Sequence, residues 1–207
     1  MPEAQRNRLH DALASCFDEH DADCLSRILF KCMENEMTGY ADLDIDCPDK
    51  DDHILTLFEE RVLIPVQSTT GSSWEEKSLR LQPEESYFLP GVARCMIRYA
   101  AWSGKLDSEQ ALTGVLAACP GVDAQALVRL MTSSLEHATS FRIEAGLLGA
   151  VANGLGLDID LHDAVDFFVS CGVLSPCKGV TLASGRSWYE INSCLFWQRD
   201  ASGSASD

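Results

Sequence analysis

Cysteine and histidine are the residues of this 207-residue chain best suited to chemistry: nine of the first and five of the second. The tightest group is Cys16, His20 and Cys24, spaced i, i+4, i+8. On one helix face they would offer two thiolates and an imidazole, the donors that zinc or an iron–sulfur cluster takes. Against this, Cys16 shares an apolar stripe with Leu9, Ala12, Leu13 and Phe17, and Cys32 shares one with Leu25, Ile28 and Leu29. The acidic run at 18–23 reads as a break between two helices, and no C-x2-C pair occurs. Cysteine at stripe positions behaves as a small hydrophobe. A second group, His162, Cys171, Cys177 and Cys194, is irregularly spaced, with Cys171 one turn after Phe168 on another stripe. No metal site and no cofactor are therefore expected, although spacing leaves open whether Cys16, His20 and Cys24, or Cys171, Cys177 and Cys194, converge.

A cysteine nucleophile needs a neighbouring base and a positive setting that holds the thiolate. Cys177, followed by Lys178 and Gly179, is expected in an exposed turn beside a cation, but no partner histidine marks it. Carboxylate pairs recur at Asp44/Asp46, Asp158/Asp160, Glu59/Glu60, Glu75/Glu76 and Glu84/Glu85. Paired carboxylates can bind metal or cleave glycosides when they converge in a cleft. Capping suits Asp46 and Asp160 better, since each precedes an apolar-periodic stretch. The chain holds no phosphate-binding G-x-x-x-x-G-K-[ST] or G-x-G-x-x-G, no G-x-S-x-G and no H-E-x-x-H. No catalytic residue is nominated.

What must position these residues is a chain that repeats itself. LDID at 43–46 returns at 157–160 and GSSW at 71–74 returns as GRSW at 185–188, both at an offset of 114 (157 − 43 and 185 − 71). VLIP at 62–65 returns as VLSP at 173–176, offset by 111 (173 − 62), so a three-residue difference lies between LDID and VLxP. A period this long implies two related domains, since solenoid repeats recur about every 20–50 residues. Ala12 and Leu13 match Ala126 and Leu127 at the same 114, which carries the register into the first helix.

In each copy the spacing predicts three helices and a two-stranded hairpin. The first copy offers stripes at Leu9–Phe17, Leu25–Met33 and Ile54–Phe58, a strand at 62–66, a turn over STTGSS at 68–73 and a returning strand from Trp74 to Leu81. The second offers stripes at Ala124–Leu135, Ile143–Val151 and Leu161–Phe168, then VLSP, a turn over KGVTLASGRS and a strand from Ser187. Between them, Val92, Cys95, Met96, Tyr99 and Trp102 make one connector helix. Leu112, Val115, Leu116 and Cys119 make another, opened by an Asp107–Gln110 capping box and closed at Pro120 and Gly121. The expected fold class is mainly α with small β-hairpins (α+β). The divisions are a winged-helix-like unit over 1–88, a helical connector over 89–121, a second such unit over 122–198 and a disordered tail over 199–207.

Charge narrows the partners. The formal net charge is −16, and residues 1–66 carry 16 acids against 6 bases. Such a field repels phosphate backbones, so nucleic acid is a disfavoured partner. The third helices carry Asp51, Asp52, Glu59 and Glu60, or Asp163 and Asp166, where a DNA reader needs Arg, Lys, Asn or Gln. A DNA-binding regulator would have to work through Arg94, Arg98 and Lys105, or Lys178 and Arg186. No run of 18 apolar residues and no apolar leader region are present, so a cytoplasmic chain with reduced thiols and no membrane partner is expected.

Helix spacing, VLxP and the paired tryptophans resemble tandem winged-helix proteins at the level of the fold. The acidic balance is similar to that of the acidic tandem winged-helix subunits that accompany bacterial condensin-type complexes. That resemblance implies a non-enzymatic protein used for protein–protein interaction, regulation or self-association. Candidate interaction residues are Trp74 and Trp188 on the wings, and Arg94 and Arg98 on the connector. The bland roles for the same residues are indoles sealing each hairpin and arginines paired with the chain's own carboxylates.

Overall fold

Apolar residues three and four apart build nearly every helix, and short β-branched or aromatic segments close two small sheets around them. The computed structural model describes residues 3–43, 45–66, 73–117 and 123–197. In chain order the elements are α1 (Glu3–Leu13), α2 (Glu19–Cys32), β1 (Met37–Gly39), α3 (Lys50–Glu59), β2 (Ile64–Pro65) and β3 (Ser86–Phe88). Next come α4 (Gly91–Ser103), α5 (Ser108–Leu116), α6 (Ala124–Leu135), β4 (Arg142–Glu144) and α7 (Ala145–Gly154). The chain continues with α8 (Leu161–Ser170), β5 (Leu174–Pro176), α9 (Lys178–Ser184) and β6 (Trp188–Ile191). Single 3-10 turns occupy Tyr40–Asp42, Trp74–Glu76 and Ser193–Phe196. The fold is mainly helical with small antiparallel sheets, as the spacing predicts, and among the described residues no helix is long and apolar enough to cross a membrane.

Each sheet has three strands rather than two. The first runs β1-β3-β2 and the second β4-β6-β5, all antiparallel, so the last strand in sequence lies between the other two. Ile64 pairs with Phe88 and Leu174 with Ile191. The expected returning strand from Trp74 to Leu81 does not form: Trp74 opens a 3-10 turn, and the pairing strand is Ser86–Phe88. KGVTLASGRS is also not a turn throughout. Lys178–Ser184 is helical and ends on Gly185 at φ +68, the left-handed stop glycine adopts without strain. The turn expected over 68–73, apart from Ser73, the helix end at Cys119, Pro120 and Gly121, and the tail at 199–207 lie outside the described residues.

On α4 the buried face is Val92, Ala93, Met96, Ile97, Ala100 and Ala101, rotated by one position from the expected stripe, which leaves Trp102 68% exposed. Asp107 caps α5 by accepting from Gln110 N at 3.0 Å. The reciprocal half of the expected box is replaced: Asp107 N donates to Met96 Sδ at 3.4 Å. α4 packs against both α1 and α5. Its first turn meets the end of α8, where Val92 N donates to Cys171 O at 3.0 Å. The buried apolar side chains form one continuous cluster from Leu9 to Trp197.

Candidate functional site

The sequence-nominated residues go to different places. Trp74 is buried at 6% exposure, and its backbone N donates to Ser175 Oγ at 2.8 Å, so the 3-10 turn it opens is bonded to the second half of the chain. Around it, Ser73 Oγ donates to Pro176 O at 2.7 Å and Glu75 Oε2 accepts from Gly179 N at 3.2 Å. Trp188 is half-buried and opens β6, opposite Glu144. The matched GSSW and GRSW therefore end in different local structure, one in a 3-10 turn and one in a strand. Arg94 Nη2 donates to Asn35 O at 2.8 Å, and more loosely to Cys32 O and Glu36 O, where the carbonyls at the end of α2 favour a cation. It serves backbone carbonyls rather than carboxylates. Arg98, one turn on, is exposed beside Cys95, Tyr99 and Trp102 in a groove between α4 and α5.

The bases that a DNA reading would need are partly engaged within the chain. Lys178 Nζ lies 2.8 Å from both oxygens of Glu76, and Arg186 Nη1 lies 3.2 Å from Glu144 Oε2. Cys177 is fully buried instead of exposed. Burial pushes its thiol up to about 11, with Glu75 and Glu190 adding to the rise. It therefore stays protonated at neutral pH and lacks the thiolate a nucleophile needs. His162 stands out in solvent beside Asp166, away from any cysteine group that could hold a metal among the described residues.

Two clefts repeat each other's chemistry. One lies between α2 and α3, about 260 Å³, with Asp21, Leu25, Asp49 and Asp52 in its wall. The other lies between α6 and α8, about 200 Å³, with Asp123, Leu127, Asp160 and Asp163. Asp21 and Leu25 precede Asp123 and Leu127 by the same interval (123 − 21 and 127 − 25), as Asp49 and Asp52 precede Asp160 and Asp163 (160 − 49 and 163 − 52), so in the clefts Leu127 corresponds to Leu25 of α2 rather than Leu13 of α1, the match expected from the offset of 114. Asp160 N-caps α8, accepting from His162 N at 2.8 Å and Asp163 N at 3.2 Å. Asp46 does not cap α3; Asp49 takes that position, without a side-chain bond to the helix.

Behind the first cleft lies a cluster the spacing did not assemble. Cys24, on α2, is joined to Cys47 as a disulfide with Cα atoms 5.8 Å apart, and His53, on the first turns of α3, packs beside them. Cys47 Sγ is 3.8 Å from His53 Nδ1, all three residues are buried, and their donor atoms lie within 4.8 Å of one another. His53 Nδ1 donates to Asp49 O at 2.6 Å, and Nε2 lies 3.2 Å from Asp21 Oδ1. Of the predicted trio only Cys24 belongs to this cluster. Cys16 precedes α2 and donates to Trp197 O at 2.6 Å, and His20 is exposed, 3.8 Å from Asp49 Oδ2.

The signal that could have found Cys47 is the three-residue difference in the repeat. LDID at 157–160 runs directly into α8 at Leu161, whereas LDID at 43–46 is followed by Cys47, Pro48 and Asp49 before α3 begins at Lys50. The second cleft has Ala126 and Ala164 at the same intervals from Cys24 and His53 (126 − 24 and 164 − 53). Both alanines are buried.

Fold and site define a mainly helical α+β chain with paired acidic clefts and one cysteine–histidine cluster. No family model, no curated protein and no solved structure matches it.

Proposed function

We propose that this chain is a non-enzymatic interaction or regulatory protein built from two acidic winged-helix-like units, and that it holds a basic segment of a partner protein. The second half runs helix, strand, helix, helix, strand, wing, strand, through α6, β4, α7, α8, β5, α9 and β6. The first half keeps that order through α2, β1, a 3-10 turn, α3, β2, a 3-10 turn and β3, and both sheets share one strand order. In this reading α3 and α8 occupy the recognition-helix positions. Their exposed residues include Asp51, Asp52, Glu59, Asp163 and Asp166, which repel phosphates and attract Lys and Arg. In these respects the chain resembles the acidic tandem winged-helix subunits of condensin-type complexes.

The single observation that carries the reading is the acid-lined cleft repeated at α3 and at α8. Its test is fluorescence anisotropy with a labelled arginine-rich peptide and, separately, with a labelled DNA duplex, both at low salt. The peptide is expected to bind in a salt-dependent way. Asp52→Asn with Asp163→Asn is expected to weaken it about three- to tenfold, the scale of two partly exposed charge pairs. Retention of DNA, failure of the peptide to bind, or indifference to the double substitution overturns the reading.

A further inference from the structure

We propose that Cys24, Cys47 and His53 form a zinc site in the reduced protein. The idea rests on geometry at the first cleft and stands or falls independently of the partner reading. Zinc–thiolate bonds of about 2.3 Å and zinc–imidazole bonds of about 2.0–2.1 Å put tetrahedral donors roughly 3.5–3.8 Å apart. Cys47 Sγ and His53 Nδ1 are 3.8 Å apart, and all three donors fall within 4.8 Å of one another.

The imidazole is held at both ring nitrogens. A ligating histidine commonly gives its other ring N–H to a carboxylate, which fixes the tautomer and raises the basicity of the ligating nitrogen. Here Nε2 faces Asp21 Oδ1 at 3.2 Å, and Nδ1, 3.8 Å from Cys47 Sγ, donates to Asp49 O at 2.6 Å, a bond that zinc ligation at Nδ1 would replace. His53 also lines the cleft walled by Asp21, Asp49 and Asp52.

Occupancy requires opening the disulfide, and the balance is simple. Two electrons break the Cys24–Cys47 sulfur–sulfur bond to two thiols: a dithiol supplies them with its own two thiol protons, whereas a phosphine supplies them while water gives the two protons and the oxygen of the phosphine oxide. Zn²⁺ then displaces both thiol protons and the Nδ1 proton to solvent, while the reductant leaves as its disulfide or phosphine oxide. The second cleft is the internal comparison: Ala126 and Ala164 provide no donor, and no residues stand where Cys47–Asp49 stand.

The full chain is reduced with a phosphine, freed of reductant without oxygen and titrated with Co²⁺ and then Zn²⁺. One equivalent of Co²⁺ is expected, with thiolate-to-cobalt charge-transfer absorption that Zn²⁺ abolishes. Cys47→Ser should remove most of that absorption. His53→Asn should keep the charge-transfer bands but weaken affinity more than about tenfold, and Asp21→Asn about tenfold through loss of orientation. Should a variant fail to fold, alkylation mapping of the wild-type protein decides: zinc should protect Cys24 and Cys47 and leave the labelling of Cys95 unchanged. Absence of a thiolate band, its persistence in Cys47→Ser, unprotected Cys24 and Cys47, or a disulfide that resists reduction in the folded protein overturns the proposal.

Discussion

At the scale of single residues, the junction at the end of α3 shows how much one side chain can hold. Arg61 takes a left-handed backbone at φ 55, and its Nε donates to Glu190 Oε1 at 2.8 Å, with both side chains mostly buried. Asn192 Nδ2 donates to Arg61 O at 2.9 Å, and Ser193 Oγ donates to Glu60 O. Glu190→Ala leaves the guanidinium without its carboxylate, and urea denaturation should show a loss of about 1–3 kcal/mol. Lys178→Ala, which removes an exposed pair with Glu76, should cost no more than about 1 kcal/mol in the same assay. Gly172, at φ +70, is closer still to its limit, because a Cβ there would lie 2.5 Å from Pro90 Cβ. Gly172→Ala should lower stability by more than about 1 kcal/mol, from backbone strain and overlap together. Burial pushes the thiols of Cys32 and Cys177 up to about 12 and about 11. Above pH 9 the unfolded chain releases those protons while the folded chain keeps them, so stability should fall as pH rises from about 9 toward 11. Denaturation midpoints measured across that range test the sign.

At the scale of elements, the 3-10 turn at Trp74–Glu76 is a piece of the first half that bonds to the second. Trp74→Ala should cost about 3–5 kcal/mol in chemical denaturation, the range for emptying a buried indole site. This turn was not legible in the sequence. Lys77, Leu79 and Leu81 alternate as a strand would, yet Trp74 is held by Ser175, 101 residues away in sequence and invisible to any local pattern. β1 and β4 were missed for the same reason: three residues carry no period, and their strand character comes from their partners β3 and β6. α9 was hidden by Gly179 and Ser184, turn-formers that here sit in a helix with no buried residue, its start tied by Glu75 to Gly179 N and by Glu76 to Lys178. The long stripes of α2, α6 and α8 were legible because each repeats an apolar residue every turn over several turns. The cluster at His53 was half legible. Cys24 stood out, but Cys47 reaches it only once α2 and α3 pack, and only the length difference within the repeat pointed there.

At the scale of the whole molecule, charge and core pull in opposite directions. With a formal charge of −16, the folded chain repels itself, and screening relieves that repulsion. Melting temperature should therefore rise with sodium chloride through the physiological range, and a flat or falling trend in a thermal scan would show that local pairs outweigh the net field. The core that resists this repulsion is continuous from Leu9 to Trp197 and draws on both sheets' surroundings and on the α4–α5 connector. A chain severed between α5 and α6 would accordingly leave two fragments, each exposing apolar surface that only the other can cover. They should be insoluble apart and should regain helical signal when mixed, which would let the halves serve as a split reporter whose reassembly is read optically.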